Sequence, residues 1–437
     1  MSAALAVSFA APLALGVLMT HLLWPGGGGG RFARVVMGAG LGMGMSSCLF
    51  FFWRMLPGVS AAWLFAGEWA IVAGLACCAA LRRRGAADTA TPAARGNGAV
   101  LLATAAALAL GAATIVVGCL GTPNGEWDTL AIWNQKARFL FRGGEHWTDM
   151  FLPGMDRAHR DYPLLVPGAV ARAWMASGAD TATAPMVLSG FFGLATAGLL
   201  CGALRLLRGG TQGLLGTLAL LATPAFVAQT AFQYADVPLA FYVLTGVVLF
   251  AAYERDAGRS GGILALAGLA FGLGAWTKNE GLLLLCAAAG ARAWVTVRGE
   301  GLAAWRREAA YFAVGAAPAL AAVLALKLRY AGGNELVTQD WGAVLQRAGD
   351  FSRWGMIARK LLMNLCLMAA TPGVSLAPIG VAPLLAAGLA LCGVRAEGTD
   401  RRALTAGALT LGATLAGYVG VYVATPHALE WHLDTSL

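Results

Sequence analysis

The stretch that decides the fold is GAVLLATAAALALGAATIVVGCL, residues 98–120, followed directly by GTPNGEWDTLAIWNQKARFLFRGGEHWTDMFLPGMDRAHRDYP, residues 121–163. The first part carries no charge and is long enough to cross a bilayer as a helix, which needs about 20 apolar residues. The second part is polar and studded with aromatic residues. Glu126, Trp127 and Asp128 therefore leave the membrane at its surface, where a fixed carboxylate can meet a substrate carried in the lipid.

The composition of the whole chain indicates a polytopic membrane protein. Of its 437 residues 58% are hydrophobic and 12% are charged, and the mean hydropathy is +0.67. Soluble domains carry about 25% charged residues. The net charge of +9 fits the excess of Lys and Arg that holds cytoplasmic loops in place, so nucleic acid is not an expected partner. The eight cysteines form no CxxC pair, which argues against a disulfide framework or a structural zinc site.

Apolar segments recur along the chain between short polar loops. They predict an all-α protein with about twelve transmembrane helices, because only helices and closed barrels satisfy the backbone inside a bilayer. The predicted spans are 3–24, 34–54, 61–81, 98–120, 183–206, 211–228, 236–253, 262–276, 281–298, 309–328, 377–394 and 403–424. We divide the chain into three N-terminal spans with a linker (1–97), a central module (98–328) and a C-terminal part (329–437).

The basic residues of the short loops predict the orientation. One set lies on the side that the positive-inside rule assigns to the cytoplasm: Arg31, Arg34, Arg82, Arg83, Arg84, Arg95, Arg205, Arg208, Arg255, Arg259, Arg298, Arg306, Arg307, Arg395, Arg401 and Arg402. The long loops 121–182 and 329–376 then face outward with the C-terminal tail. Residues 164–178 and 360–375 are apolar but short, and we expect them to be interfacial or re-entrant.

Residues 126–142 have the period of an amphipathic surface helix. Its apolar face would hold Leu130, Trp133, Ala137, Leu140 and Phe141, and its polar face Asp128, Gln135, Arg138 and Arg142. Such a helix is expected to lie in the membrane interface, with Trp at the depth of the headgroups and Arg reaching towards water. Asp128 lies in its first turn, where the helix dipole favours an anion.

Ionisable residues cluster at the outer ends of the predicted spans. Because all of them return to the outer side, we expect them to line one outward-facing cavity, and charge at membrane depth is usually functional. These residues are Asp128, Asp236, Lys278, Glu280, His427, Glu430 and His432. Arg157, His159 and Arg160 form a basic group in the long loop that is suited to phosphate.

Each candidate also has a purely structural interpretation. Asp128 could cap its helix or pair with an Arg of the loop, and Asp236 could cap the helix that it begins. Lys278 could extend to lipid headgroups, and Glu280 could be only a bridge to Lys278. The basic loop residues and the two histidines could be solvated surface groups. Glu68, within the third span, is expected to pack against another polar group rather than to take part in chemistry.

The order of these features resembles the GT-C class of integral-membrane glycosyltransferases, in particular the branch of protein O-mannosyltransferases and lipid A aminoarabinose transferases. In that class a span leads into a long outer loop with an acidic motif near its start, as span 98–120 leads into Glu126-Trp127-Asp128 here. Six further spans follow, matching 183–206 through 309–328. The resemblance implies a GT-C-like core over residues 98–328 and covers the remainder loosely.

Three later motifs extend the resemblance. Asp236 in YADVPLAFY is similar to an acidic residue at the next outer turn of the class. Lys278 in TKNEG is similar to a Lys that contacts the lipid-linked phosphate in relatives. The tail TPHALEWHLDTS resembles a His-containing segment found after a late span. The loop departs from many relatives in having Trp-Asp where they have paired acids.

The resemblance implies an outward-facing (periplasmic) site in the inner, or plasma, membrane. The donor would be a sugar on a polyprenyl phosphate or diphosphate, and the acceptor a lipid, glycan or protein. Asp128 would accept the acceptor's hydroxyl proton during an inverting displacement, a contribution of roughly 10²–10⁴-fold. For an anionic acceptor no base is needed, and Asp128 would only orient it. Lys278, with Arg157 or Arg160, would offset the charge of the departing phosphate.

Asp236 would be the second catalytic residue, either orienting the acceptor or holding a divalent cation such as Mg²⁺ or Mn²⁺. Metal dependence stays open, because members of the class differ. The residues expected to bind substrate are Glu126, Trp127, Lys278, Glu280, Arg157, His159, Arg160, Tyr162, His427 and His432.

Two other classes of protein remain as alternatives. A secondary transporter of a small solute or lipid-linked substrate would place its site near the middle of the membrane, on broken helices in repeated halves. Here the charges lie at one face, and the sequence has no convincing repeat. A non-catalytic scaffold would use the long loop only to dock a partner.

Overall fold

The computed structural model describes residues 3–24, 30–85, 97–155, 158–331, 333, 339–367 and 398–436, and these ranges are helical without any β-strand. The helices are α1 (Ala3–Leu23), α2 (Arg31–Arg54), α3 (Ala61–Gly85), α4 (Gly98–Gly121), α5 (Asn134–Arg142), α6 (Leu165–Ser177), α7 (Thr183–Leu207), α8 (Gly210–Leu221), α9 (Pro224–Ala231), α10 (Asp236–Arg255), α11 (Gly261–Thr277), α12 (Glu280–Glu300), α13 (Leu302–Arg329), α14 (Trp341–Ala348), α15 (Phe351–Leu367), α16 (Gly398–Ala424) and α17 (Leu429–Ser436). A π-helical turn, Thr129–Trp133, leads into α5, and a 3₁₀ helix, Gly144–Phe151, follows it.

The described helices confirm a polytopic, all-α membrane protein. Within the described ranges, nine helices are long and apolar enough to cross a membrane, namely α1 to α4, α7, α10, α12, α13 and α16. Helices α8 and α9 pass the same test together but are bent by 64° where Pro224 begins the second of them. Apolar α11 is shorter, at 17 residues. The remaining predicted span, 377–394, lies outside the described residues, so the total of twelve stays a prediction.

Helix α11 lies at the centre of the bundle and is buried along nearly all of its length. It packs against α13 with their backbones in contact. A Cβ atom added to Gly268 would lie 1.9 Å from the carbonyl oxygen of Phe312, and one added to Gly315 would lie 1.8 Å from that of Ala265. Glycines allow such close packing, which is how helices associate where lipid gives no hydrophobic driving force.

Charged residues join the helices at one end of the bundle. Arg292 of α12 forms ion pairs with Glu254 of α10 and with Glu308 of α13. Arg259 and Arg402 also contact Glu254, at 3.1 Å and 3.2 Å. Both of these arginines belong to the set predicted to share one side. Glu254 and Asp236 lie at opposite ends of the 20-residue α10, about 30 Å apart for an ideal helix.

Helix α6 is packed inside the protein. Every residue from Leu165 to Trp174 is buried. The position of this segment relative to the membrane, interfacial or re-entrant, stays a prediction. Arg172 of α6 pairs with Glu68 of α3, through Nε to Oε1 at 2.8 Å, and donates to the carbonyl of Ser8 at 2.7 Å. The expected polar partner of Glu68 is therefore confirmed as Arg172.

The N-terminal helices also support the end of the bundle where α11 finishes. Ser47 of α2 donates a 2.8 Å hydrogen bond to the carbonyl of Leu165 at the start of α6. The same hydroxyl accepts from the indole of Trp276, at 3.2 Å. Since Trp276 lies two positions before Lys278, α2 fixes both α6 and the turn that carries this lysine.

Candidate functional site

Asp128 lies at the start of a helix that is tied to the junction of α9 and α10. Gly125 has a φ of +71°, which reverses the chain after α4. The backbone amide of Glu126 donates to the carbonyl of Phe232 at 3.3 Å, and the Thr129 hydroxyl donates to the same carbonyl. These bonds place Asp128 beside the residues that precede α10.

Residues 127–142 are helical, as predicted, and the predicted apolar face is buried from Trp133 to Leu140. The π-helical turn inserts one extra residue and rotates the residues that precede it relative to α5. Leu130 is consequently 46% exposed, whereas Trp133 is 1% exposed and lies on the buried side with Ala137 and Leu140. The Asp128 side chain makes no capping hydrogen bond, so it does not act as the N-cap of this helix.

Gln233 is a site residue that the sequence analysis missed. It has a φ of +62°, and its amide nitrogen donates to the carbonyls of Thr122 and Pro123 at 3.2 Å and 3.1 Å. Its amide oxygen accepts from Asn134 at 3.5 Å. A single side chain thus joins the end of α4 and the start of α5 to the turn before α10. A lone Gln between two apolar segments gave no local signal of this role.

Lys278 is paired with carboxylates rather than extended towards headgroups. Its Nζ lies 2.9 Å from Oδ1 of Asp236 and 3.5 Å from Oε1 of Glu280. The Lys278 side chain is 13% exposed, whereas that of Asp236 is 46% exposed. Burial alone would lower the pKa of Lys278, but the charges of Asp236 and Glu280 raise it well above its usual value. Lys278 thus lies between two carboxylates, and its pairing with Glu280 is observed.

Asp128 belongs to the same electrostatic group. Burial raises the pKa of its carboxyl, and the negative charge of Asp236 raises it further, while Lys278 and His159 act in the opposite direction. Burial and then the charge of Asp128 raise the pKa of the Tyr234 phenol. The structure thus brings Asp128, Asp236 and Lys278 together, as the sequence predicted.

His159 and Tyr162 adjoin these charged residues. The ring of His159 stacks on that of Tyr162 with centroids 4.7 Å apart, and Tyr162 stacks on Trp133 at 5.8 Å. After burial, the charge of Glu280 is the largest cause of the raised pKa of Tyr162. Arg160 donates to the carbonyl of Phe151 at 3.4 Å. Arg157, also predicted to bind substrate, lies outside the described residues.

Lys136 is a second functional candidate that the sequence analysis missed. It is fully buried, and burial lowers its pKa to about 7. A signal was present, since Lys136 lies one helical turn from Ile132 and from Leu140, inside the apolar face of the helix. Lysine at such a position is rarely buried without a specific partner.

The two C-terminal histidines lie together at the edge of the site. The rings of His427 and His432 are 5.6 Å apart, and His432 contacts the hydroxyl of Thr425 at 2.8 Å. His432 also packs against Tyr422 of α16, whose hydroxyl is within electrostatic range of Glu280 and Lys278. They adjoin the charged group through Tyr422.

Glu126 and Trp127 are exposed beside Asp128, with Trp127 66% exposed. In the part of the chain that the structure describes, no group of three or more His, Cys, Asp or Glu side chains is arranged to hold a metal ion. Comparison of the chain with family models, curated proteins and solved structures found no match.

Proposed function

We propose that this protein is a glycosyltransferase that moves a sugar from a polyprenyl-phosphate donor to an acceptor at the membrane surface. The observation that carries the proposal is the grouping of Asp128, Asp236 and Lys278 at one end of a bundle of apolar helices. A lipid-linked sugar phosphate needs an apolar surface for its tail, and this surface must lead directly to a charged site for its head. Helix α4, which is mostly exposed, ends close to Asp128 and offers such apolar surface.

Asp128 is suited to the role of general base. A raised pKa makes its carboxylate a stronger base, and efficient proton transfer needs a pKa close to the operating pH. The neighbouring Trp127 and Leu130 are exposed, so an acceptor can approach this part of the helix from outside the bundle. In the proposed reaction the acceptor oxygen forms a bond to the anomeric carbon, the bond to phosphate breaks, and Asp128 takes the hydroxyl proton.

Lys278 supplies positive charge for the phosphate leaving group, but three carboxylates surround it. Asp128, Asp236 and Glu280 together outweigh its single charge, so a phosphate needs further positive charge nearby. His159 and Arg160 lie on the adjacent loop and can provide it. A Mg²⁺ or Mn²⁺ ion held by the half-exposed Asp236 would provide it as well. Mg²⁺ is commonly bound by one or two carboxylates together with substrate phosphate oxygens.

The bent helix pair is the feature that a transporter would be expected to use. In transporters the ends of broken helices bind ions and substrate near the middle of the membrane. Residues 210–231, which form α8 and α9, contain no ionisable side chain. The ionisable residues of the candidate site lie instead at helix ends, which favours chemistry at the membrane surface over transport.

The experiment that tests the proposal is transfer from a panel of radiolabelled polyprenyl-phosphate sugars by the purified protein in lipid nanodiscs. We expect Asp128→Asn and Lys278→Ala each to reduce turnover by at least about 10²-fold. Asp149→Asn is the matched control, because Asp149 is an exposed carboxylate of the same loop that lies 3.7 Å from His146. Full turnover by both site variants would overturn the proposal. Movement of a labelled substrate across vesicles without any product would identify a transporter.

A further inference from the structure

Two lysines, Lys136 fully buried and Lys327 with its side chain 26% exposed, hold the backbone of residues 159–162, which we name the HRDY segment after its sequence. Lys136 of α5 donates through Nζ to the carbonyl oxygen of His159 at 2.7 Å and to that of Tyr162 at 3.2 Å. Lys327 of α13 donates to the carbonyl of Asp161. Three of the four carbonyls in the segment therefore accept hydrogen bonds from lysine side chains.

The segment is also joined to the turn that carries Lys278. Asn279 donates through Nδ2 to Oδ2 of Asp161 at 2.6 Å, and its Oδ1 accepts from Lys327 at 2.7 Å. Lys327 lies 3.5 Å from the same Asp161 carboxylate. Asp161, Asn279 and Lys327 thus form a closed triangle. Because Asn279 directly follows Lys278, this triangle fixes the HRDY segment relative to the Lys278 turn.

The clamped backbone orients two side chains towards the site. His159 has a φ of +45°, a conformation that residues other than glycine rarely adopt and that surrounding contacts must hold in place. Its ring stacks on Tyr162, and its charge acts on Asp128. Tyr162 is within electrostatic range of Lys278 and Glu280. The backbone atoms of the segment thus face the lysines, and its aromatic side chains face the charged residues.

We propose that Lys136 and the Asp161–Asn279–Lys327 triangle are positioning residues that fix His159 and Tyr162 against Asp128 and Lys278. This inference rests on the proposed function, because positioning has a kinetic meaning only if the site turns over. None of these four residues touches the reacting atoms. Their effect is on the geometry in which the donor and the acceptor meet, where displacement by about 1 Å can cost about 10²-fold in rate.

The first test removes the clamp at Lys136. Lys136→Met keeps most of the side-chain volume but loses both hydrogen bonds. We expect kcat to fall about 10- to 100-fold with KM for the donor changed less than about threefold. Arg142→Met is the matched control, since it removes a cation from the exposed side of the same helix. An unchanged kcat in Lys136→Met would overturn the positioning role.

The second test uses the triangle, because its two short side chains can be exchanged. Asp161→Asn alone should lower kcat, since Lys327 loses its carboxylate partner. Adding Asn279→Asp restores a carboxylate and an amide in reciprocal positions, and we expect kcat to recover to within about threefold of wild type. A double variant no better than the single variant would contradict the triangle as a positioning device.

A third measurement keeps the inference separate from the proposed function. The amide of Tyr162 donates to the carbonyl of His159, the same oxygen that Lys136 binds. Hydrogen–deuterium exchange at this amide should therefore rise at least about 10-fold in Lys136→Met and not in Arg142→Met. If the wild type transfers no sugar, the proposed function fails while exchange still reports on the clamp. Unchanged exchange in Lys136→Met would overturn the clamp itself.

Discussion

Lys278 and Asp236 form a 2.9 Å ion pair between the end of α11 and the start of α10, across 42 positions of sequence. The pair joins two helices that run in opposite directions and meet at the same end of the bundle. It also brings a lysine that is 13% exposed next to a carboxylate that is 46% exposed. The ion pair therefore reaches the surface through Asp236, whereas the Lys278 side chain is mostly buried.

Replacement of Asp236 should expose how much this pair contributes to stability. We expect Asp236→Asn to reduce the free energy of unfolding by about 1–3 kcal/mol, because the buried ammonium of Lys278 loses its nearest carboxylate. Adding Lys278→Met should then cost little more, since the unpaired charge is gone. Thermal unfolding of the single and double variants in one detergent measures the coupling. Strictly additive losses would contradict a direct interaction.

The pKa of Asp128 predicts the acid side of the pH–rate profile. Because burial raises this pKa, the carboxyl stays protonated, and inactive as a base, up to a higher pH than an ordinary aspartate. Turnover should therefore fall as the pH drops through a midpoint above the usual aspartate value of about 3.9. Asp128→Glu should retain part of the activity with a shifted midpoint. If the pH–rate profile of Asp128→Glu had the same midpoint as that of the wild type, a group other than Asp128 would cause the loss of turnover at low pH.

The pKa of Lys136 predicts how stability varies with pH. The pKa is about 7 in the folded protein and near 10.5 in an unfolded chain, so the unfolded state binds more protons between these values. Stability should consequently rise as the pH increases from about 7 towards about 10. Lys136→Met removes this contribution, and its melting temperature should depend less steeply on pH than that of the wild type. If the melting temperatures of the two proteins depended on pH with the same slope, the lowered pKa of Lys136 would be contradicted.

The Glu68–Arg172 pair predicts a large effect far from the candidate site. Both side chains are almost fully buried, so Arg172→Met leaves a buried carboxylate without its main partner. We expect a loss of about 3–5 kcal/mol in the free energy of unfolding, and substantial recovery when Glu68→Gln is added. The melting temperatures of the single and the double variant measure the two losses of stability. A smaller loss in Arg172→Met than in the double variant would contradict the predicted recovery.

The membrane-spanning helices were predictable from sequence because each one is a long apolar run. Described helices coincide with the predicted spans from 3–24 to 309–328 and with 403–424. The bend at Pro224 and the burial of α6 were not predictable in the same way. A hydropathy pattern gives the length of an apolar segment but not its neighbours, and Arg172 finds its partner only when α3 packs against α6.

The candidate site was predictable in part. Asp128, Asp236 and Lys278 stood out because ionisable residues are rare at the ends of apolar spans. Leu130 was misplaced, because a π-helical turn rotates the residues at its start relative to the helix that follows and leaves no mark in the hydrophobic period. Asn279 and Asp161 gave no signal at all, since short polar residues in loops are common.

The amino-acid sequence by itself determined that this chain crosses a membrane many times as helices, because the backbone cannot meet its hydrogen-bonding needs in lipid otherwise. It also determined which few charges stand out from the apolar background. Only the tertiary structure decided that Lys278 faces Asp236 and Glu280, and that Lys136 and Lys327 hold the HRDY segment. Contacts of this kind depend on how helices distant in sequence pack together, and local sequence does not encode them.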